Sequence, residues 1–174
     1  MSSRTMTRGQ AALRAINLIL AVVAALAPLA HVLELPNKLA LDGPLWLAVQ
    51  QHLYRGWGPL LGGPVEIGAL ATALALLVAR RGDPATRRLA LVAVLAYAGM
   101  IAAFFVFNDP VNAALNGWTP GDLPSNWRAY RLRWEAGHAL SAALSIVALA
   151  ALTRAWLIER DRAIVATGGL DARC

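Results

Sequence analysis

Cysteine is nearly absent from this chain. The single Cys174 stands at the C-terminal end, which excludes an intrachain disulfide and any cysteine-based metal site. The sequence shows no internal repeat, no low-complexity tract and no second domain. It also lacks the inverted repeat and paired broken helices expected of a transporter. Acidic residues are few, 10 against 16 Lys and Arg, so the formal charge is +6 and the pI about 10.7. Such a balance can mark a nucleic-acid binder, but here the Arg clusters punctuate apolar runs and form no patch on a soluble surface.

What is present is apolar side chain. Hydrophobic residues make up 58% of 174, and the mean hydropathy is +0.53, too high for an ordinary soluble domain. The pattern predicts an all-α membrane protein, an up-down antiparallel four-helix transmembrane bundle forming one domain over 1–174. The expected spans are 14–34, 57–79, 88–108 and 132–156, with a frayed tail over 1–13 and a disordered tail over 158–174. Pro28 should kink the first span one turn before His31, and Pro36 should open the connector 35–56. Within that connector, Asp42-Gly43-Pro44 starts a short helix too polar to cross a bilayer, read as interfacial and lying over the bundle mouth. Asn108-Asp109-Pro110 should stop the third span. The Arg-rich start and Ala27-Pro28-Leu29-Ala30 also fit a cleavable leader, in which case the first helix would be lost.

Eleven of the sixteen Lys and Arg fall in the two tails and the middle loop, at Arg80, Arg81, Arg87 and Arg88 among others. By the positive-inside rule both termini are cytoplasmic, in the inner or plasma membrane, and the two polar connectors face outward. Glu34, Asp42, Glu66, Asp109, Asp122 and Glu135 lie on or near that outer side.

Two stretches there carry the same chemistry in reversed order: His31-Val32-Leu33-Glu34 and Glu135-Ala136-Gly137-His138. Residues three apart share a helix face, about 4.5 Å apart along the axis. On antiparallel helices His31 is therefore level with His138, and Glu34 with Glu135. With the intramembrane carboxylate Glu66, the set His31, Glu34, Glu66, Glu135 and His138 matches the ligand inventory of carboxylate-bridged sites in helix bundles. It suits Fe, Cu, Mn or Zn better than Ca or Mg. Without a metal, His31, Glu66 and His138 could serve as general acid and base. Two alternatives remain open: His31 and His138 holding a haem axially in an electron carrier, or a non-catalytic transporter or assembly subunit. The bland readings are headgroup-bonded helix-end histidines, an ion pair of Glu66 with Lys38, Arg131 or Arg133, and a solvated His52. Trp127, Trp134, Tyr54 and Tyr130 fit interfacial anchors equally well as pocket walls.

His31-Val-Leu-Glu34-Leu-Pro36-Asn-Lys38, Val49-Gln-Gln51, Leu53-Tyr54-Arg55, Pro110-Val-Asn112 and Trp127…Arg131…Arg133-Trp134-Glu135…His138, taken in order, resemble the anthrone-oxygenase-like family of small four-helix integral membrane proteins. The last motif departs from the family pattern at Ser141, where many members carry Arg. The resemblance implies a four-span bundle and, in the characterised branch, oxygenation of a phenolic anthrone to a quinone. On that basis Lys38, Tyr54, Asn112, Trp127, Arg131 and Trp134 are expected to orient substrate or wall its pocket. The expected partners are the lipid bilayer and a small apolar aromatic or quinone-like molecule, not nucleic acid, with homo-oligomer formation left open.

Overall fold

A computed structural model describes residues 7–171, with side chains through 165. The helices are α1 (Arg8–Ala40), α2 (Gly43–Ala48), α3 (Gly63–Ala79), α4 (Pro84–Ala103), α5 (Asp109–Leu115) and α6 (Trp127–Asp171). Single wide turns of π type, Val49–Leu53, Gly58–Gly62 and Phe104–Asn108, extend or join them. Four stretches are long and apolar enough to cross a membrane, and the protein is a multi-pass membrane protein. The long helices pack as a square, α1 against α3 and α6, and α4 against α3 and α6.

The packing suits lipid as the outer solvent. Alanine dominates the interior, with Ala21, Ala24, Ala69, Ala73, Ala93, Ala96 and Ala148 buried around Tyr97 and Met100. Large aliphatic side chains point outward, Ile19 at 63%, Leu33 at 72% and Leu95 at 63% exposure. Small residues let helix backbones approach closely where no hydrophobic force separates them from lipid. One interior polar contact ties α1 to α3: Asn17 Nδ2 donates to Thr72 Oγ1 at 2.8 Å. At the Arg-rich end, Glu159 of α6 accepts Arg80 at 2.9 Å and Arg14 at 3.0 Å, locking three helices together. The opposite end is closed by an aromatic cap in which Trp46, Leu47, Val111, Leu115 and Trp134 are buried together.

The helices run further than their sequence signals suggest. α1 continues through Pro36 to Ala40, so the connector begins at Leu41 and not at residue 35. Carbonyls at its end accept from outside the helix: Arg131 Nη1 donates to Lys38 O at 3.1 Å and to Leu41 O at 3.0 Å. Pro110 likewise does not end the third span, because the wide turn at Phe104–Asn108 resets the register and α5 starts with Pro110 in its first turn. The carbonyl that Pro110 leaves without a donor, Val106 O, accepts Arg133 Nη2 at 2.6 Å. At the N-terminus a Thr7–Gln10 capping box starts α1 at Arg8, so the part of the expected frayed tail over 8–13 is helix. The expected disordered tail is helical as far as Asp171; residues 1–6 and 172–174 lie outside the described residues.

Candidate functional site

Two helix faces converge under the aromatic cap. On α1, His31, Glu34 and Lys38 follow one another at three- and four-residue steps; on α6, Arg131, Trp134, Glu135 and His138 do the same. Because α1 and α6 pack side by side, the two faces meet. His31 and His138 pair at 4.2 Å between ring centroids, edge to face, so the reversed motifs do bring the imidazoles level. Trp134 lies 4.8 Å from His31 and 3.9 Å from His138, and Tyr54 stacks on Trp134 at 5.8 Å.

The acidic layer also forms, but a lysine stands at its centre. Lys38 Nζ donates to Glu135 Oε2 at 2.8 Å, and lies 3.9 Å from Glu34 Oε2 and 3.4 Å from His31 Nδ1. The ammonium is 4% exposed and Glu135 5%, so the pair is withdrawn from solvent. Glu34 is more open and accepts the Tyr54 hydroxyl at 2.5 Å. An ammonium has three donors and no lone pair, so His31 Nδ1 faces it as an acceptor and the ring proton sits on Nε2. On the other side, the Asn108 amide nitrogen lies 2.7 Å from His138 Nδ1 and 2.9 Å from Trp134 O. His138 Nδ1 is thereby tied down in either tautomer, leaving Nε2 as its free nitrogen. Trp134 Nε1 donates to Asn112 Oδ1 at 2.9 Å, fixing the indole between the rings.

These imidazoles sit where two cavities meet. A polar one of about 610 Å³ is lined by Gln50, Tyr54, Asn112, Trp134 and both histidines; an apolar one of about 450 Å³ is lined by Pro28, Ile67, Phe104, Glu66, Ser141 and both histidines. Each falls within the size range of small-molecule sites. The order Gly137-His138 is itself a packing requirement: a Cβ at position 137 would lie 2.7 Å from Phe107 Cβ and closer still to Asn108. Only glycine lets the wide turn bring Asn108 against α6.

The five-residue metal set does not assemble as expected. Among the described residues no group of three or more His, Cys, Asp or Glu is placed to hold a metal ion. The reason is Lys38, whose ammonium takes the carboxylates that a metal cation would need and repels a second positive charge. Haem between His31 and His138 does not fit either, since rings in contact at 4.2 Å leave no room for a macrocycle. Glu66 shares the apolar cavity with the imidazoles but makes no ion pair among the described residues: Lys38 bonds Glu135, while Arg131 and Arg133 bond backbone carbonyls. Arg131 thus clamps the end of α1 and lines neither of these two cavities. Trp127 lines neither of these two cavities; it packs on Trp46 at 5.9 Å and under the Arg131 guanidinium at 4.7 Å. His52 does line the polar cavity. Gln50, 8% exposed and lining the same cavity, was given no role by sequence reasoning; Val49-Gln50-Gln51 entered only as part of the family resemblance, because a glutamine beside a turn otherwise reads as surface.

The sequence profile described as anthrone oxygenase matches residues 51–151, which include Tyr54, Glu66, Asn108, Trp134 and His138. No curated protein and no solved structure matches the chain.

Proposed function

Because the chain belongs to the anthrone oxygenase family, we propose that it oxidises the methylene of a flat phenolic polycycle to a carbonyl with dioxygen, one oxygen atom entering the product and the other leaving as water. The observation that carries this reading is the His31–His138 pair, 4.2 Å apart at the junction of the two cavities. The methylene of such a ring system is acidic, because the carbanion left behind is delocalised into an aromatic phenolate. One imidazole takes that proton, and general base catalysis of this kind contributes roughly a hundredfold to ten-thousandfold. The electron pair of the broken C–H bond then reduces dioxygen, giving a hydroperoxide on carbon. Loss of the remaining hydrogen as a proton expels hydroxide, which leaves as water, and the carbonyl forms.

Each neighbour supports that proton traffic. Lys38 orients His31 by donating to Nδ1, and Asn108 holds His138. Trp134 and Tyr54 give flat walls for a flat ligand, and the Tyr54 hydroxyl is held on Glu34. Glu135 balances the Lys38 charge and so keeps the layer behind the imidazoles neutral enough to stay buried. We place this end of the bundle outward and both termini in the cytoplasm, from the Arg content of the opposite loops.

The test is oxygen uptake, with quinone absorbance recorded in parallel, by detergent-purified protein given an anthrone. His138→Ala is expected to lower the rate at least a hundredfold while the protein remains monodisperse. An unchanged rate removes the imidazole from the chemistry. A stoichiometric metal whose chelation abolishes turnover would overturn the direct proton-transfer route.

A further inference from the structure

Two polar side chains line the cavities on either side of the imidazole pair, and their Nε2 and carboxyl groups have no hydrogen-bond or ion-pair partner among the described residues. Gln50 lines the polar cavity; its amide nitrogen is buried without a hydrogen bond, and the side chain is 8% exposed. Glu66 lines the apolar cavity, in the first turn of α3, and no hydrogen bond or ion pair reaches its carboxyl among the described residues. A buried amide donor left unmade costs free energy, and so does an intramembrane carboxyl without a partner. Both are retained on the walls of cavities that share His31, His138 and Asn108.

The two groups differ in chemistry. An amide N–H needs an acceptor, and a carboxyl oxygen in an apolar lobe takes a donor. We propose that Gln50 and Glu66 orient the ligand across the imidazole pair, Gln50 donating to a ring carbonyl oxygen and Glu66 accepting from a ring hydroxyl. The assignment rests on the reading that the cavities take a flat phenolic polycycle. It adds which residues fix its direction, and therefore which carbon faces the histidines. Among the described residues no hydrogen bond or ion pair is made by Gln50 Nε2 or the Glu66 carboxyl, so replacing either by Leu removes no such contact and keeps most of the side-chain volume.

Three probes separate the two contacts: unsubstituted anthraquinone has carbonyls alone, hydroxyanthracene a hydroxyl alone, and a monohydroxylated anthraquinone with its hydroxyl remote from the carbonyls has both. Binding is read without turnover, anaerobically, from quenching of Trp57 and Trp134, which line the cavities. In the wild type, the hydroxyl and the carbonyl are each expected to tighten binding about tenfold, as a buried hydrogen bond does. Glu66→Leu should erase the hydroxyl's advantage and keep the carbonyl's; Gln50→Leu should do the reverse; Glu66→Gln should restore most of the hydroxyl's. Equal weakening of all three probes, unchanged ratios, or tighter binding of an aminomethyl-anthraquinone than of the hydroxylated one would overturn the assignment. Oxygen uptake with an anthrone by the same preparation separates the failures. Uptake with flat ratios overturns only the roles of Gln50 and Glu66, while preserved ratios without uptake overturn the reaction and support the ligand site.

Discussion

Replacing Lys38 by Met would test the charge layer behind the histidines. Met has similar length and no charge, so the change removes the ammonium while filling most of its volume. Glu135 then loses the one side-chain hydrogen bond it makes among the described residues, where Lys38 holds Oε2 at 2.8 Å and Oε1 has no partner. With the two side chains 4% and 5% exposed, water does not replace the lost contact. Breaking a buried pair from one side costs about 3–5 kcal/mol, since a carboxylate is left in a low-dielectric interior. Removing both partners should cost little, because apolar residues of similar volume often substitute for a buried pair without loss. The assay is equilibrium unfolding in mixed micelles on Lys38→Met, Glu135→Leu and the double variant. The single lysine change should lose about 3–5 kcal/mol and the double variant under about 1 kcal/mol. The double variant should still be slow in oxygen uptake, because His31 Nδ1 has lost its donor. If Lys38→Met stays within about 1 kcal/mol of wild type, or the double variant falls as far as the single one, the pair is not the buried charge couple described.

Gly137→Ala should destabilise by about 1–3 kcal/mol or more, because its Cβ would sit 2.7 Å from Phe107 Cβ; thermal unfolding in detergent reads this, and oxygen uptake should fall as Asn108 is pushed away from His138. Arg131→Met should fray the end of α1 by removing donors from Lys38 O and Leu41 O, a loss of about 1.5–3 kcal/mol, seen as faster amide exchange over Leu39–Leu41. Asp83, in the loop before α4, has its carboxyl pushed up by burial, but bonds from Thr86 and Arg162 outweigh this and hold it below the ordinary carboxylate range. Because its folded-state value is depressed, Asp83 adds stability above its ordinary titration range and loses it as the pH falls through the folded value. The stability gap between wild type and Asp83→Asn should therefore be constant at neutral pH and close in acid, where a pH series of unfolding curves would show it.

The mirrored His31/Glu34 and Glu135/His138 spacings, the four apolar runs and the aromatic flanks could be read directly, because helical period and bilayer thickness translate one-dimensional pattern into faces and lengths. Pro36 and Pro110 misled as stop signals, because a proline removes one helix hydrogen bond and the rest of the helix can still be held. At Pro110, Arg133, about twenty residues further along the chain, donates to Val106 O; beyond Pro36, Arg131, about a hundred residues further along, donates to the carbonyls at the end of α1. Lys38 differs: the sequence offered it as an ion-pair partner for Glu66 or a substrate contact, and only the α1–α6 packing sets it between Glu34 and Glu135.

By itself, then, the sequence determined that the chain crosses a membrane four times and carries its polar chemistry at one end, since both follow from local composition and helical geometry. The tertiary structure alone decided which cation fills the acidic layer and which polar groups are left facing the cavities. Those outcomes depend on distances between residues far apart in the chain, and a long flexible Lys38 reaches its site only because α6 lies alongside α1.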